Sequence, residues 1–412
     1  MTSVVGPRLQ VEQDDAPEDV ATAARAWLNE HLPDNWVRPA PGQPPPRLAG
    51  APDEDAYTAW YPSLADSGLL VPGWPRECFG LGLAPRHVQA INQVLRSAGL
   101  VKLGPLDLQR AGPTIVRWGT PEQHQRFLPG IIAATDPWTQ LFSEPGAGSD
   151  LPSLSTRAER DGDEWVVTGQ KVWSSYAGWS RYGMLLARTD PTAPKRLGIT
   201  YFLIEMDQPG IEARPLVQMT GEAEFFEVFL DGARVPDVNR LGPVGRGWDV
   251  ARTTLAGERR VGSEGGTPGS TRSVGGLVDE LRALNHLGDP VVRQRLGALS
   301  VQRQVLGWTN QRLAQQYGGT PLQSSGGKLA ISQYVTNLRT SWVDMVGPRA
   351  VACSEDDRHQ LRTRRDFLGH PAERIAGGSD EIQRNTLGES VLGLPREPDP
   401  YHGRPWVEIP RS

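Results

Sequence analysis

Cysteine is almost absent: Cys78 and Cys353 are the only two among 412 residues, and they stand far apart. With no CxxC pair and no Cys/His cluster, the chain lacks both a zinc signature and a disulfide scaffold, so no metal is expected. That sparing use of thiols suits a reducing compartment, and the expected location is cytoplasmic. No apolar run approaches the ~20 residues that cross a bilayer. The stretch before Val20 is polar and acidic, unlike a signal or transit peptide. A formal net charge of -5 leaves no basic footprint for nucleic acid. What the chain has in quantity is punctuation, with 46 glycines and 36 prolines, and 13 tryptophans that in several cases neighbour them. The length is enough for two or three domains with real cores.

Glu18–Leu32 carries Val20, Ala23, Ala24, Trp27 and Leu28 at helical spacing. Pro33–Gly50 reads as a Pro-rich connector, Asp53–Ser67 as a helix ended by Gly68, and Pro85–Ala98 as a helix opened by proline. At Thr120-Pro121-Glu122-Gln123 a helix starts: Thr120 caps, Pro121 takes the first position and Glu122 suits the dipole. The pattern then changes. Arg157–Glu159, Glu164–Thr168, Tyr182–Ala187, Gly198–Glu205, Ile211–Pro215 and Phe225–Leu230 are short runs parted by Gly, Pro and Asp. Such spacing predicts an antiparallel β-domain, sandwich or barrel. The Gly242–Gly247 run follows no βαβ unit and reads as the opening of a helix, not a dinucleotide fingerprint. Trp248–Arg259, Ser270–Asn285, Pro290–Tyr317, Ser325–Val346 and Glu381–Leu392 predict an antiparallel bundle, interrupted by Gly262–Gly269. The expected class is α+β and mostly helical. Its parts are an N-terminal α-helical domain (1–136), a middle antiparallel β-domain (137–246) and a C-terminal helical bundle (247–412).

Three stretches carry the chemistry. Gln140–Asp150 (QLFSEPGAGSD) follows the helical Pro121–Ala134 segment and opens the β-rich part, with Thr139–Ser143 as a short strand. Its Glu144–Ser149 turn offers backbone N–H groups and small hydroxyls to a ligand with a flat polar edge and a phosphate tail. The same glycines also suit a plain turn. Lys171-Val172-Trp173-Ser174-Ser175, after a hairpin turning at Asp161-Gly162-Asp163, presents an aromatic face beside hydroxyls. Ala376–Asn385 (AGGSDEIQRN) precedes Val391–Arg396 (VLGLPR). Together these resemble the acyl-CoA dehydrogenase family of flavoenzymes, from the Trp118-Gly119-Thr120-Pro121 segment to the Leu394-Pro395-Arg396 tail.

The resemblance implies that family's helix–sheet–helix fold, FAD, an acyl thioester on CoA or a carrier protein, and α,β-dehydrogenation. In that chemistry a carboxylate removes the α-proton while the β-hydrogen leaves as hydride to the flavin. Its pKa must be raised toward working pH by an apolar pocket. Many members carry this base as the Glu of Tyr-Glu-Gly-Thr. Here the matching segment is Ala376-Gly377-Gly378-Ser379, and Gly377 has no group to take a proton. A minority place it within Leu-x-x-Glu-Arg on the first helix of the C-terminal domain, matched by Leu255-Ala256-Gly257-Glu258-Arg259. Glu258 is therefore the expected base and Arg259 its electrostatic orienter, although a solvated helix carboxylate would have the same spacing. Glu381 is the competing carboxylate.

For FAD, the resemblance implies Gln140, Phe142 and Ser143 at the isoalloxazine edge, with Gly148 in the glycine turn. Ser149 falls on the thioester and pyrophosphate side, touching both cofactor and substrate. Trp173 and Ser175 pack and hydrogen-bond the ring, while Ser379 and Glu381 lie toward the diphosphate and ribose. Gly377 leaves room for a branched or bulky acyl group. As bare residues, Phe142 and Trp173 also fit a protein core, and Ser149 a turn cap. The adenine end, gripped in the family across a subunit contact, is matched by Arg293-Gln294-Arg295-Leu296-Gly297, with Leu in place of Phe. A second grip, Gln-x-x-Gly-Gly, has only Asp344-Met345-Val346-Gly347-Pro348 in its place. The resemblance also implies a homodimer or homotetramer, or a heteromer, passing electrons to an electron-transfer flavoprotein. The alternatives are a flavin monooxygenase or oxidase of specialised metabolism, and a weak partner subunit of a heteromeric dehydrogenase.

Overall fold

The computed structural model describes residues 7–32, 54–98, 100, 106–263, 274–317, 320, 322–352, 354 and 357–410. The Pro33–Gly50 connector and all but Gly262 and Ser263 of the Gly262–Gly269 stretch lie outside them. No described helix is long and apolar enough to cross a membrane, and no described His, Cys, Asp and Glu group to hold a metal ion.

Five helices come first: α1 (Pro17–His31), α2 (Glu54–Asp66), α3 (Pro85–Ser97), α4 (Ala111–Trp118) and α5 (Pro121–Ile132). The predicted start of α5 is present as a capping box. Thr120 Oγ1 accepts from the Gln123 N–H, and the Thr120 N–H donates to Gln123 Oε1. Gln123 Nε2 then donates to the carbonyls of Val238 and Arg240 (2.8 and 2.9 Å), so the cap also fastens α5 to the sheet.

Eight strands follow: β1 (Trp138–Leu141), β2 (Arg157–Asp161), β3 (Glu164–Ser175), β4 (Tyr182–Arg188), β5 (Ile199–Glu205), β6 (Ile211–Leu216), β7 (Phe225–Pro236) and β8 (Arg240–Leu241). They form one sheet in the order β6-β7-β3-β2-β4-β5-β8, with β1 also paired to β4. The sheet is mainly antiparallel, as expected, with two parallel pairings: β1 and β2 both run parallel to β4. The β2–β3 hairpin is inserted between β1 and β4, so the chain returns to β1 in the same direction. Central strands β4 and β5 are buried on both faces. Tyr182, Met184, Leu186 and Tyr201 face a core shared with the N-terminal helices, while Leu185, Ala187, Phe202 and Ile204 face a second core closed by β3 and β7.

The C-terminal part holds α6 (Gly247–Ser263), α7 (Val274–Ala283), α8 (Pro290–Tyr317), α9 (Gly327–Val346), α10 (Arg358–Gly369) and α11 (Asp380–Thr386). As expected, the Gly242–Gly247 run opens a helix. Helix α6 packs on α9 of the bundle and also on α4 and β5, its Val250 and Ala251 entering the N-terminal core. The tail returns to the sheet: Trp406 is buried, its Nε1 donates to the Ser153 carbonyl (3.3 Å), and the Arg188 guanidinium lies 4.3 Å over its ring.

One buried ion pair fixes the loop after β1. Lys171 Nζ donates to Glu144 Oε1 at 2.7 Å and to the Phe142 carbonyl at 3.1 Å. The Glu144 carboxylate also accepts from the Ser155 N–H and Oγ and from the Thr156 N–H. Burial alone would raise the Glu144 carboxyl, but Lys171 and these donors hold it at about 2. Glu144→Gln strands a buried ammonium and is expected to cost about 3–5 kcal/mol, whereas Glu144→Leu combined with Lys171→Met restores most of it. Because the folded pKa lies below the ordinary 4.5, the contribution is complete above about pH 4.5 and is lost as pH falls through about 2. Urea midpoints followed by tryptophan fluorescence should show the gap between wild type and Glu144→Gln closing across that window.

Candidate active site

The glycine-rich loop is shaped from below by that pair and from above by a tight turn. Glu144 and Ala147 exchange both backbone hydrogen bonds at 3.0 Å, closing Glu144-Pro145-Gly146-Ala147 on itself. Phe142 is buried and meets Tyr201 edge to face, with ring centroids 5.8 Å apart. Gly146 in the turn, and Gly148 and Ser149 past it, are exposed, and a Cβ built on either glycine would meet nothing within 4 Å. These glycines are therefore not demanded by internal packing; they leave open surface for something to approach.

Trp173 belongs to the same surface. The Val172 N–H donates to the Ser143 carbonyl (2.9 Å), and Thr139 Oγ1 donates to the Ser175 carbonyl (2.9 Å). Gln140, Phe142 and Ser143 on one side are thus brought beside Trp173 and Ser175 on the other. Between Lys171 and Ser174 the strand bulges, and Trp173 takes φ 61° and is 60% exposed, its ring meeting Phe225 edge to face. A left-handed, exposed tryptophan costs on the order of 1–3 kcal/mol and persists where its neighbours fix it, a pattern concentrated at ligand sites. The bulge turns Ser174 inward, where its buried Oγ has no hydrogen-bond partner among the described residues. The open glycine surface and the presented indole fit a planar heterocycle with polar edges, as FAD has.

Helix α6 is brought to this surface through Tyr201. Its hydroxyl and Thr254 Oγ1 are 3.1 Å apart, and Thr254 in turn meets Thr114 Oγ1 of α4 at 2.9 Å. The Trp118 Nε1–H donates to Thr253 Oγ1 (3.0 Å) beside it. Glu258 is one turn further along α6; its side chain and that of Arg259 lie outside the described residues. Gly257 lets the helix come close here, since a Cβ on it would stand 2.0 Å from the Gln109 carbonyl oxygen.

The C-terminal motif has a network of its own. Gly377 and Gly378 take φ of 66° and 93°, and Gln383 Nε2 donates to both their carbonyls. A side chain restored at 377 would enter the left-handed region that a β-carbon disfavours. Ser379 caps α11 by accepting from the Ile382 N–H. The buried carboxylate is Asp380, which sequence reasoning passed over; it accepts from Ser332 Oγ (2.8 Å), Arg374 Nε (2.8 Å) and Lys328 Nζ (3.2 Å). Glu381 is exposed, and the backbone N–H at the helix start holds its carboxyl below the usual range. A carboxylate held low in water is a weak proton acceptor. Arg293 is exposed on the first turn of α8.

Profiles of the acyl-CoA dehydrogenase N-terminal, middle and C-terminal domains match residues 42–135, 139–232 and 245–392. The acyl-CoA dehydrogenase IpdE1 of Mycobacterium tuberculosis is 37% identical over 390 residues, which is 92% of this chain and 98% of that protein. The acyl-CoA dehydrogenase FadE34 of the same organism is 42% identical over 363 residues, or 85% of this chain and 47% of that larger protein. Among solved structures, a chain of the Tcur3481-Tcur3483 steroid ACAD superposes with a TM-score of 0.71 at 25% identity, covering 94% of this chain and 100% of that one. A chain of the ChsE4-ChsE5 complex from Mycobacterium tuberculosis gives 0.66 at 26%, again over 94% and 100%. With its helices, sheet and bundle in that order and all three domain profiles matched, this chain belongs to the acyl-CoA dehydrogenase family.

Proposed function

We propose that this protein is an FAD-dependent, cytoplasmic acyl-CoA dehydrogenase that desaturates the α,β bond of a bulky acyl thioester. The observation that carries the reading is the single surface formed by Gln140–Ser149 and Trp173–Ser175, with α6 laid beside it through Tyr201 and Thr254. The backbone of Gln140, Phe142 and Ser143 would hold the flavin ring edge, with Trp173 against its face and Ser175 beside it. Gly148 and Ser149 would hold the pyrophosphate and thioester side, and Ser379 and Glu381 the diphosphate and ribose. When bound, FAD supplies the two-electron acceptor. Glu258 takes the α-proton on its carboxylate, and Arg259 orients it. Gly377 leaves space for the acyl group, and likeness to a structure called a steroid ACAD supports a large, ring-bearing one. Electrons leave to an electron-transfer flavoprotein.

Assembly runs through the C-terminal bundle. Val301, Val305 and Trp308, at helical spacing on α8, are all exposed, an apolar stripe of the kind that associating surfaces carry. A homodimer or homotetramer is the first reading. Likeness to the ChsE4-ChsE5 complex favours a heteromer as the second. In either, Arg293 of one subunit reaches the adenine half of FAD on its neighbour.

Glu258→Gln should keep the yellow spectrum and acyl-CoA binding while slowing anaerobic flavin bleaching by about 10²–10⁴-fold, the range of a lost general base. Glu381→Gln should cost far less; near wild-type bleaching by the Glu258 variant would reassign the base. A guanidinium on a diphosphate contributes about 1.5–3 kcal/mol. Arg293→Ala should therefore release FAD on gel filtration, and Arg282→Ala, whose partner is Asp279, should not. Restoration of FAD only on co-expression with a related chain would select the heteromer.

A further inference from the structure

Arg110, at the start of α4, is a cation placed where burial is costly and incompletely answered. Its side chain keeps only 13% of its surface, and its nearest carboxylate oxygen, Asp107 Oδ1, is 3.6 Å away, beyond a hydrogen bond. Arg110 Nε is fully buried with no acceptor among the described residues, and Asp107 Oδ1 likewise has no donor. The other carboxylate oxygen is taken by the Trp138 N–H at 3.2 Å, which ties Asp107 to the first residue of β1. Burial pushes the Asp107 carboxyl up, and Arg110 and the Trp138 N–H only partly oppose it. A half-satisfied buried pair is worse than an apolar one unless something completes it.

The place is as telling as the pairing. Thr114 Oγ1 donates to the Arg110 carbonyl (2.7 Å) and meets Thr254 of α6 (2.9 Å). A Cβ on Gly257 would lie 2.0 Å from the Gln109 carbonyl oxygen and 3.8 Å from Arg110 Cα. Arg110 is therefore at the convergence of β1, Tyr201 and the turn of α6 that carries Glu258. The Arg110 charge also acts on the Tyr201 and Tyr176 hydroxyls, the latter at the open aromatic side of the same surface. A plain hydrocarbon acyl group arriving here would cover the guanidinium and give it nothing. An acceptor oxygen would complete it.

We propose that Arg110 is a specificity-determining residue whose guanidinium receives an acceptor oxygen, ketone or carboxylate, carried on the acyl group away from the thioester. This rests on the acyl-CoA dehydrogenase reading and narrows its substrate class to oxygenated acyl groups. No bond is made or broken at Arg110; it selects.

The test compares 3-cyclohexylpropanoyl-CoA with its 4-oxo and 4-carboxy ring analogues, using the FAD-loaded protein and its Arg110→Met and Arg110→Lys variants. The expected result is a wild-type preference in kcat/KM for flavin reduction of at least about tenfold for one oxygenated analogue, the contribution of a charge-assisted hydrogen bond. The ketone and the carboxylate arms tell a neutral acceptor from an anion. Arg110→Met should erase the preference by slowing the oxygenated substrate alone, and Arg110→Lys should keep part of it. A wild type preferring the unsubstituted ring overturns the proposal, even if neither variant folds. So does an equal loss on all three substrates, which would make Arg110 a support for the α6 turn. Calorimetric binding of the redox-inert thioether analogues reads recognition without chemistry. If the thioethers keep the oxygen preference while no thioester bleaches the flavin, Arg110 stands and the dehydrogenase reading falls; if binding shows no preference, Arg110 falls whatever the flavin does.

Discussion

The contact between Lys171 and Glu144 is the constraint on which the candidate site depends. Neither group would choose to be there: a buried ammonium and a buried carboxylate each lose several kcal/mol of hydration. They persist together because the carboxylate is saturated with donors from Ser155 and Thr156 and the ammonium also reaches the Phe142 carbonyl. The result is geometric. Three stretches that are distant along the chain, the loop after β1, the lead into β2 and the middle of β3, are pinned to one point. Phe142 and Trp173 stand on either side of that point. The surface above it is stiff without any regular hydrogen-bond ladder of its own.

A second layer of the same logic runs through hydroxyls. Thr114, Thr254 and Tyr201 meet one another in the interior, and they connect α4, α6 and β5 where the three parts of the chain converge. An apolar contact there would allow the helix to slide; a chain of hydroxyls with fixed partners does not. The turn bearing Glu258 inherits its position from that chain and from the close approach at Gly257.

Much of this was legible in the sequence, and the reasons are local. The α5 start was readable because Thr120, Pro121 and Gln123 each act within one helical turn. The paired halves of the glycine loop and the Trp173 segment were readable because residue types and order carry them. The long-range partners were not. Nothing at Glu144 announces Lys171, which lies 27 residues on, and the neighbouring Glu381 drew attention that belonged structurally to Asp380. Helix α4 escaped notice for being only eight residues long, and α10 for its polarity. The parallel run of β1 against β4 escaped because strand direction depends on what is inserted between, not on the strands themselves. Arg110 carries no signal in the sequence, because what sets it apart is how little of its guanidinium the fold answers.

The returning tail has a consequence in time. Trp406 closes on Ser153 across 253 residues, and the whole helical bundle lies between them. The brace behind the glycine loop therefore belongs to a closure of 253 residues. Strands β2 and β3, and β4 and β5, pair locally, but their outer clamp closes a loop that takes in the whole bundle. Contacts of such separation are the slow ones in folding. The glycine loop is in this sense braced from the far end of the chain.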